Sequence, residues 1–177
     1  MKEEVKKLHA TYQINIQGLA NKRYEFEFGG GEAFFESFEQ DIIGKGHFKA
    51  HIVLLKSETM MRLNIDIKGN IALVCDRTLR GYEEPLDLHE VFVYKFGDRF
   101  EEVAEDMEII PTEETEINLA RNIFEYICLA VPMKKLHPDY RDDDGGLIYS
   151  DNFEEKNSSK EEIDPRWAAL KNLKKDL

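Results

Sequence analysis

The chain has little of several residue types that would assign it to a particular class of protein. Its 177 residues include two cysteines, five prolines and one tryptophan. The cysteines, Cys75 and Cys128, could form at most one disulfide, and we expect both to be reduced, small apolar core residues. No run of roughly 18 apolar residues could cross a bilayer, and residues 1–7 lack the apolar stretch of a secretory signal. These absences favour a cytoplasmic protein without a membrane partner.

Motifs of the common enzyme classes are absent as well. The five histidines are scattered, and no Gly-x-Ser-x-Gly elbow or phosphate-binding Gly-Lys-Ser/Thr loop occurs. The glycine run at 29–31 does not open a dinucleotide-binding fold. The acidic run at 142–144 is not followed by the remaining ligands of a calcium loop. We therefore expect no enzymatic activity, no cofactor and no bound metal.

Acidic residues outnumber basic ones, and they are concentrated in two segments. The formal net charge is -12, with 8 acidic and no basic residues at 100–116, and 10 acidic and 3 basic residues at 139–164. The rest of the chain is slightly basic. Since RNA binding requires Lys and Arg to displace counterions from phosphates, this distribution permits RNA contact without demonstrating it. The charge of the whole chain better fits a protein-facing role or steering toward basic partners.

Apolar and polar residues alternate over most of the first 96 positions. This period of two predicts strands at 12–16, 24–28, 48–54 and 61–67. Turns are predicted at 18–22, 57–59 and 69–70, and after them 71–76 and 86–96 would continue the meander as further strands. Such short links favour antiparallel pairing. A sheet this long with one apolar face must curl into a barrel or be covered by helices.

Helical periodicity is found in two segments, one at 34–38 and one at 117–131. Phe34, Phe35 and Phe38 have the spacing of a short amphipathic helix. At 117–131 the apolar residues share one helical face, and Pro132 lies where that helix should end. We expect this second helix to pack on the sheet. The acidic stretch at 100–116 is predicted to be a solvated link across one end of the sheet.

The sequence therefore predicts an α+β fold with an acidic, partly disordered C-terminal tail. Its main part is a mostly antiparallel β meander or barrel-like sheet with a packed helix near 117–131. The domain would occupy 1–139, followed by a flexible acidic linker at 140–163. Residues 164–177 would form a short amphipathic helix, with Asp164 as N-cap and Pro165 at the first helical position. That helix would dock back on the domain or bind a partner.

Four blocks of sequence carry a resemblance to a known family. They are Leu73 to Arg80, Pro85 to Asp98, Ile117 to Ile127 and Pro132 to Asp139. In content, order and spacing they resemble the YceD-like family of large ribosomal RNA subunit accumulation proteins, over about 12–139. The ending at 164–170 resembles that of one long, acidic branch of the family.

The resemblance implies a non-enzymatic ribosome-biogenesis factor that supports synthesis, processing or stability of the large-subunit ribosomal RNA. Its partner would be a precursor of the large ribosomal subunit, through RNA, ribosomal proteins or both. The alternative is a protein-protein interaction module without RNA contact.

The resemblance also bears on metal binding. In many relatives a second cysteine occupies the position of Thr78, and further cysteines follow the His-Pro-Asp block, which would suit a four-ligand zinc site. Here Thr78 is a poor ligand and no cysteine follows Asp139. We therefore expect Cys75 to be a buried strand residue. Asp76 and Arg77 would shape the turn before Leu79 or contact a partner.

The candidate binding residues are basic, with one aromatic exception. Lys134, Lys135 and His137, together with Arg77 and Arg80, could form a small patch that contacts the RNA backbone. The two lysines could instead only complement the dipole of the preceding helix. Trp167 is a candidate anchor for a partner's groove.

Overall fold

The computed structural model describes residues 7–38 and 40–141, where strands are the dominant element. The strands are β1 (Gln13–Asn15), β2 (Arg23–Gly30), β3 (Lys45–Lys56), β4 (Met60–Val74), β5 (Gly81–Gly97), β6 (Glu101–Ala104), β7 (Met107–Pro111) and β8 (Glu116–Asn118). The helices are α1 (Glu32–Glu36) and α2 (Ala120–Ala130), with a 3-10 turn at Pro138–Tyr140 and a helical segment at 7–10. The predicted acidic tail and terminal helix lie outside these residues from position 142 onward.

Six of the strands form one mixed sheet in the order β2-β3-β4-β5-β7-β6. All neighbours are antiparallel except β5 and β7, which run parallel. The alternation seen in the sequence separates the two faces: Ile52 pairs with Ile65 and both are fully buried, while their chain neighbours point to the other side. The predicted α+β class with mostly antiparallel pairing is confirmed.

The barrel-like alternative is wrong, because the sheet is open. Strands β2 and β6 are its edges and do not pair with each other in the described part of the chain. The apolar face is covered by other elements, as the pattern allowed. Tyr12, beside β1, packs on Phe34 of α1 with 5.0 Å between ring centroids, and Phe124 of α2 stacks on Phe38 at 4.0 Å.

The first two predicted strands do not form a hairpin with each other. Gly18 does form a turn, with φ of +75°, but β1 pairs with β8 in a separate two-stranded ribbon. Strand β2 pairs with β3 instead. Local turn chemistry indicates where the chain bends, and the pairing partner is decided by packing far along the sequence.

The predicted turn at 69–70 is also wrong, because β4 continues through it to Val74. A Cβ on Gly69 would lie 2.1 Å from the carbonyl oxygen of His47 on β3. The two backbones approach so closely that only glycine fits, and close approach of another backbone is a common reason for glycine within a strand. The Gly-Asn pair therefore marks a close contact between strands.

The acidic stretch at 100–116 contributes three strands where a solvated link was predicted. Strand β7 lies between β5 and β6, and it pairs with β5 in parallel from Val93–Met107 to Gly97–Pro111. All four residues of β6 are exposed, and only Ile110 of β7 is buried. Strands β6 and β7 therefore lack the apolar alternation that predicts the other strands.

The predicted helix near 117–131 is present as α2. Ala120, Ile123 and Ile127 are buried on its inner face, and the Asn118 side chain accepts a hydrogen bond from the Ala120 N–H at 2.9 Å. The helix ends at Ala130 because the residue before Pro132 is extended, as the proline ring requires. No helix in the described ranges is long and apolar enough to cross a membrane.

Candidate functional site

The loop between β4 and β5 is a tight turn that exposes its tip. The Cys75 N–H donates to the Arg80 carbonyl at 2.9 Å, and the Leu79 N–H donates to the Cys75 carbonyl at 2.9 Å. Leu79 has a φ of +57°, which is rare for a residue other than glycine, and it is 80 % exposed. The turn thus presents Leu79 to solvent together with the exposed residues Arg77 and Arg80.

Two hydrogen bonds clasp this loop to the segment that follows α2. The Asp76 N–H donates to the Lys135 carbonyl at 2.8 Å, and the Lys135 N–H donates to Asp76 Oδ2 at 2.7 Å. Hydrogen bonds to a charged acceptor contribute about 1.5–3 kcal/mol when sheltered and less when exposed. Asp76 therefore shapes the site by holding a segment 59 residues away along the chain. We call this pair of hydrogen bonds between Asp76 and Lys135 the Asp76 clasp.

The sulfur of Cys75 is a second tie between the same segments. The Thr78 hydroxyl and the backbone N–H groups of His137, Thr78 and Arg77 face it and lower the pKa of Cys75 to about 7, against the opposing effect of burial. Thr78 Oγ1 has no well-aligned hydrogen-bond partner in the described ranges, so its effect on the sulfur is electrostatic. Cys75 is buried as expected. Cys128 is only half-buried, and burial raises its pKa.

Ring contacts add to the junction, by which we mean the contact region between the β4-β5 loop and the segment that follows α2. The His137 ring packs edge-on against Tyr82, with centroids 5.9 Å apart, and its Nδ1 accepts the Asp139 N–H at 3.3 Å. The guanidinium of Arg77 lies 5.4 Å from the Tyr140 ring centroid, a cation-π contact that orients the cation. Arg141 pairs with Glu84 of β5 and lies over Tyr82.

The structure brings most of the candidate residues together. Arg77, Arg80 and Lys134 are exposed and Lys135 is half-buried, and we call these four the basic patch. The His137 side chain is only 23 % exposed and serves to build the junction. Trp167 lies outside the described residues. Contact of any of these side chains with RNA stays a prediction.

The helix-dipole explanation for the two lysines finds no support in their positions. They follow the end of α2 by four and five residues, and no basic residue lies in its last turn. The dipole effect falls off within that turn. For Arg80, Lys134 and Lys135 the structure shows no ion pair with a described residue, so their charges remain available to a partner.

The residues at this junction do not fit a zinc site. Cys75 offers one thiol, Thr78 offers a hydroxyl, and the Nδ1 of His137 is engaged by a backbone N–H. Within 7–38 and 40–141, no group of three or more His, Cys, Asp or Glu residues could hold a metal ion.

A second feature was not found from the sequence: a groove between α2 and the β5-β7-β6 end of the sheet. It encloses about 440 Å³ and is lined by Phe92, Glu102, Ala104, Glu105, Glu108, Arg121, Asn122, Phe124, Glu125, Tyr126, Cys128 and Leu129. The signal in the sequence is Arg121, the first basic residue after the acidic stretch at 100–116 and four residues before Glu125.

The electrostatics of this groove are unbalanced. Arg121 Nε donates to Glu125 at 2.7 Å, and Arg121 Nη1 lies 3.7 Å from Glu102. Glu102 is the cross-strand partner of Glu108. Burial, and then Glu102, raise the pKa of Glu108, while Arg121 opposes them. Burial raises the pKa of Tyr126 to about 12, and its buried hydroxyl has no hydrogen-bond partner among the described residues.

Comparison with known proteins assigns the chain to a family. The family model described as "Large ribosomal RNA subunit accumulation protein YceD" matches residues 63–174. This range covers more than half of the chain, including the loop, the Asp76 clasp and the groove, and it extends past the described residues to include Trp167. No curated protein and no solved structure matches the chain. The chain therefore belongs to the YceD family of large ribosomal RNA subunit accumulation proteins.

Proposed function

We propose that this protein is a non-enzymatic ribosome-biogenesis factor that acts in the cytoplasm. It supports accumulation of the large-subunit RNA by binding a precursor of the large subunit through the basic patch. The observation that carries the proposal is the family match, which includes both segments joined by the Asp76 clasp.

The chemistry of the basic patch suits a phosphate backbone. Arginine guanidinium groups bind phosphate oxygens in a bidentate way, and lysines add point charges. Because the Asp76 clasp joins the two segments by one backbone hydrogen bond and one bond to the Asp76 carboxylate, it holds the backbone that carries the two sets of cations at a defined spacing in the free protein. Pre-ordered cations lose less conformational entropy when they bind. Such contacts position a protein on RNA without reading its sequence.

The apolar side chains beside these cations add a second kind of contact. Leu79 is 80 % exposed, and Met133 is fully exposed next to Lys134. Exposed apolar groups of this size can pack on the faces of unpaired bases, which single-stranded regions of RNA present to proteins. This site would bind and position the RNA without catalysing a reaction.

The proposal is tested by charge reversal with a matched control. Lys134→Glu/Lys135→Glu should weaken binding to deproteinised large-subunit precursor RNA by about tenfold or more and reduce the salt slope by about 2. The control Lys49→Glu/Lys95→Glu makes the same charge change at two exposed residues on the outer face of the sheet. Filter binding over a range of salt concentrations measures both. Equal losses in the two variants would mean that only net charge matters and would remove the patch from the proposal.

A further inference from the structure

We infer that the groove between α2 and the β7-β6 edge of the sheet binds a cationic peptide segment, rich in lysine and arginine, from a partner protein. This site shares no residue with the basic patch, and its occupancy does not require RNA. It adds a protein-binding surface to the proposed function.

The first argument is the shortage of cations in the groove. Arg121 is the only basic side chain among the lining residues, and it is shared by Glu125 at 2.7 Å and Glu102 at 3.7 Å. Glu108 lies directly across from Glu102 in the strand pair, and Glu105 is on the rim. Like charges directly opposite each other on neighbouring strands destabilise a sheet. A second cation would relieve this repulsion.

The second argument is the apolar floor beneath these carboxylates. Phe92, Phe124 and Tyr126 line the groove, and Leu129 on its border is 81 % exposed. Lysine and arginine carry aliphatic stems that pack on such surfaces while their charged ends remain near carboxylates. Arginine also stacks favourably on aromatic rings. The groove therefore matches both halves of a basic side chain.

A third argument comes from two polar groups in the groove, the Tyr126 hydroxyl and the Glu108 carboxylate, whose interactions within the protein are incomplete. The Tyr126 hydroxyl is buried without a hydrogen-bond partner among the described residues. Tyr126 is one of the residues that line the groove, so this unpaired hydroxyl belongs to the proposed site. Glu108 is half-buried and lies opposite Glu102, and these two causes raise its pKa against the opposing effect of Arg121, so a bound cation would stabilise its ionised form.

The edge strand β6 provides a backbone surface for the same ligand. Its four residues, Glu101–Ala104, are all exposed, and β7 is its one strand neighbour within the described ranges. An extended segment can add to such an edge through main-chain hydrogen bonds. The acidic side chains of β6 discourage pairing between copies of this chain, because like charges would meet. They would attract a basic strand instead.

A nucleic acid and a metal ion both fit this groove poorly. Its net negative charge repels phosphates. Within the residues that the structure describes, no cluster has the geometry of a metal site. The protein ligand is therefore the occupant that the charges favour.

The experiment uses the full chain and a labelled twelve-residue peptide with lysine or arginine at alternate positions and valine or threonine between them. Glu102→Gln/Glu108→Gln should weaken peptide binding at least about tenfold, which is about 1.4 kcal/mol. The control Glu113→Gln/Glu114→Gln removes the same charge from the same acidic segment outside the groove and should change affinity less than about threefold. Fluorescence anisotropy gives both affinities. Equal weakening, or no binding to the unsubstituted protein, would overturn the inference.

A second measurement locates the peptide without any substitution. Hydrogen exchange on the unsubstituted chain should show protection of 101–104 and of α2 when the peptide is added, and protection confined to other regions would overturn the inference. Binding of precursor RNA by the Glu102→Gln/Glu108→Gln variant should not fall. Failure of the peptide test would therefore leave the proposed RNA contact intact, and the reverse also holds.

Discussion

Glu108 shows how a single residue can conflict with stability at a binding surface. It is half-buried, and it lies opposite Glu102 on the neighbouring strand. Burial, and then Glu102, raise its pKa, and Arg121 only partly compensates. Sites that bind charged partners often keep such unfavourable charges, because function and stability select different side chains. We interpret Glu108 as a residue retained for binding.

Glu108→Gln should stabilise the free protein near neutral pH by about 0.5 kcal/mol, the scale of a cross-strand charge pair. The pKa of Glu108 is raised in the folded state, so its ionisation lowers stability as pH rises through that pKa. The gain from the substitution should therefore shrink as pH falls toward the usual pKa of glutamic acid. Urea unfolding at neutral and acidic pH measures the gain. Glu113→Gln, at an exposed carboxylate, is the control, and a gain of equal size there would contradict this interpretation.

Binding-site residues whose type alone indicates a ligand, such as arginine and lysine for phosphate, can be predicted from the sequence. Residues whose role depends on a contact far along the chain cannot. The sequence predicts one patch of Lys134, Lys135 and His137 with Arg77 and Arg80. The structure joins the loop of the two arginines to the segment of the two lysines, whereas the His137 ring packs against Tyr82. For Asp76 the sequence predicts a role in the local turn or in contact with a partner, and neither prediction includes its hydrogen bond to Lys135. The Asp76 carboxylate accepts a hydrogen bond from Lys135, which lies 59 residues further along the chain. A local sequence pattern cannot predict such a contact.

At the scale of elements, the Asp76 clasp joins a hairpin loop to the segment after a helix. Asp76→Ala removes the side-chain acceptor for the Lys135 N–H and leaves only the backbone hydrogen bond of the clasp, so the spacing between the two halves of the basic patch should become less well defined. RNA affinity should fall about threefold or more even though the variant is less acidic, since pre-ordering is lost. If only charge mattered, removal of this carboxylate would instead raise the affinity for RNA.

The same filter-binding assay checks this prediction against Asp139→Ala, which removes an equal charge nearby without touching the clasp. Asp139 is exposed, and its side chain interacts with His137 alone among the described residues. Asp139→Ala should leave RNA affinity unchanged or slightly higher. Higher affinity in both variants would show that charge, and not the clasp, controls the patch.

Long, half-buried strands and the amphipathic helix could be predicted because one face of each must be apolar. Strands β3, β4 and β5 and helix α2 follow that rule. Strands β6 and β7 do not, since all residues of β6 are exposed and only Ile110 of β7 is buried. Closure of the sheet could not be predicted either, because the same apolar face can be covered by helices or by its own curvature. Here α1, α2 and the β1-β8 ribbon supply the cover.

At the scale of the described domain, charges are sorted into separate surfaces. The basic patch lies on two loops, and the acidic groove lies between α2 and the β6 edge. The net charge of -12 hid this sorting. A protein with both surfaces can hold a phosphate backbone at one and a basic segment at the other, and a precursor of the ribosome offers both chemistries. This arrangement supports the proposed role more specifically than total charge does.

The ratio of large-subunit to small-subunit ribosomal RNA in cells depleted of this protein tests the central claim most directly. Depletion should lower the ratio, and re-expression of the unsubstituted protein should restore it. Lys134→Glu/Lys135→Glu should fail to restore the ratio, whereas Lys49→Glu/Lys95→Glu should succeed. A ratio that is unchanged on depletion would contradict the account.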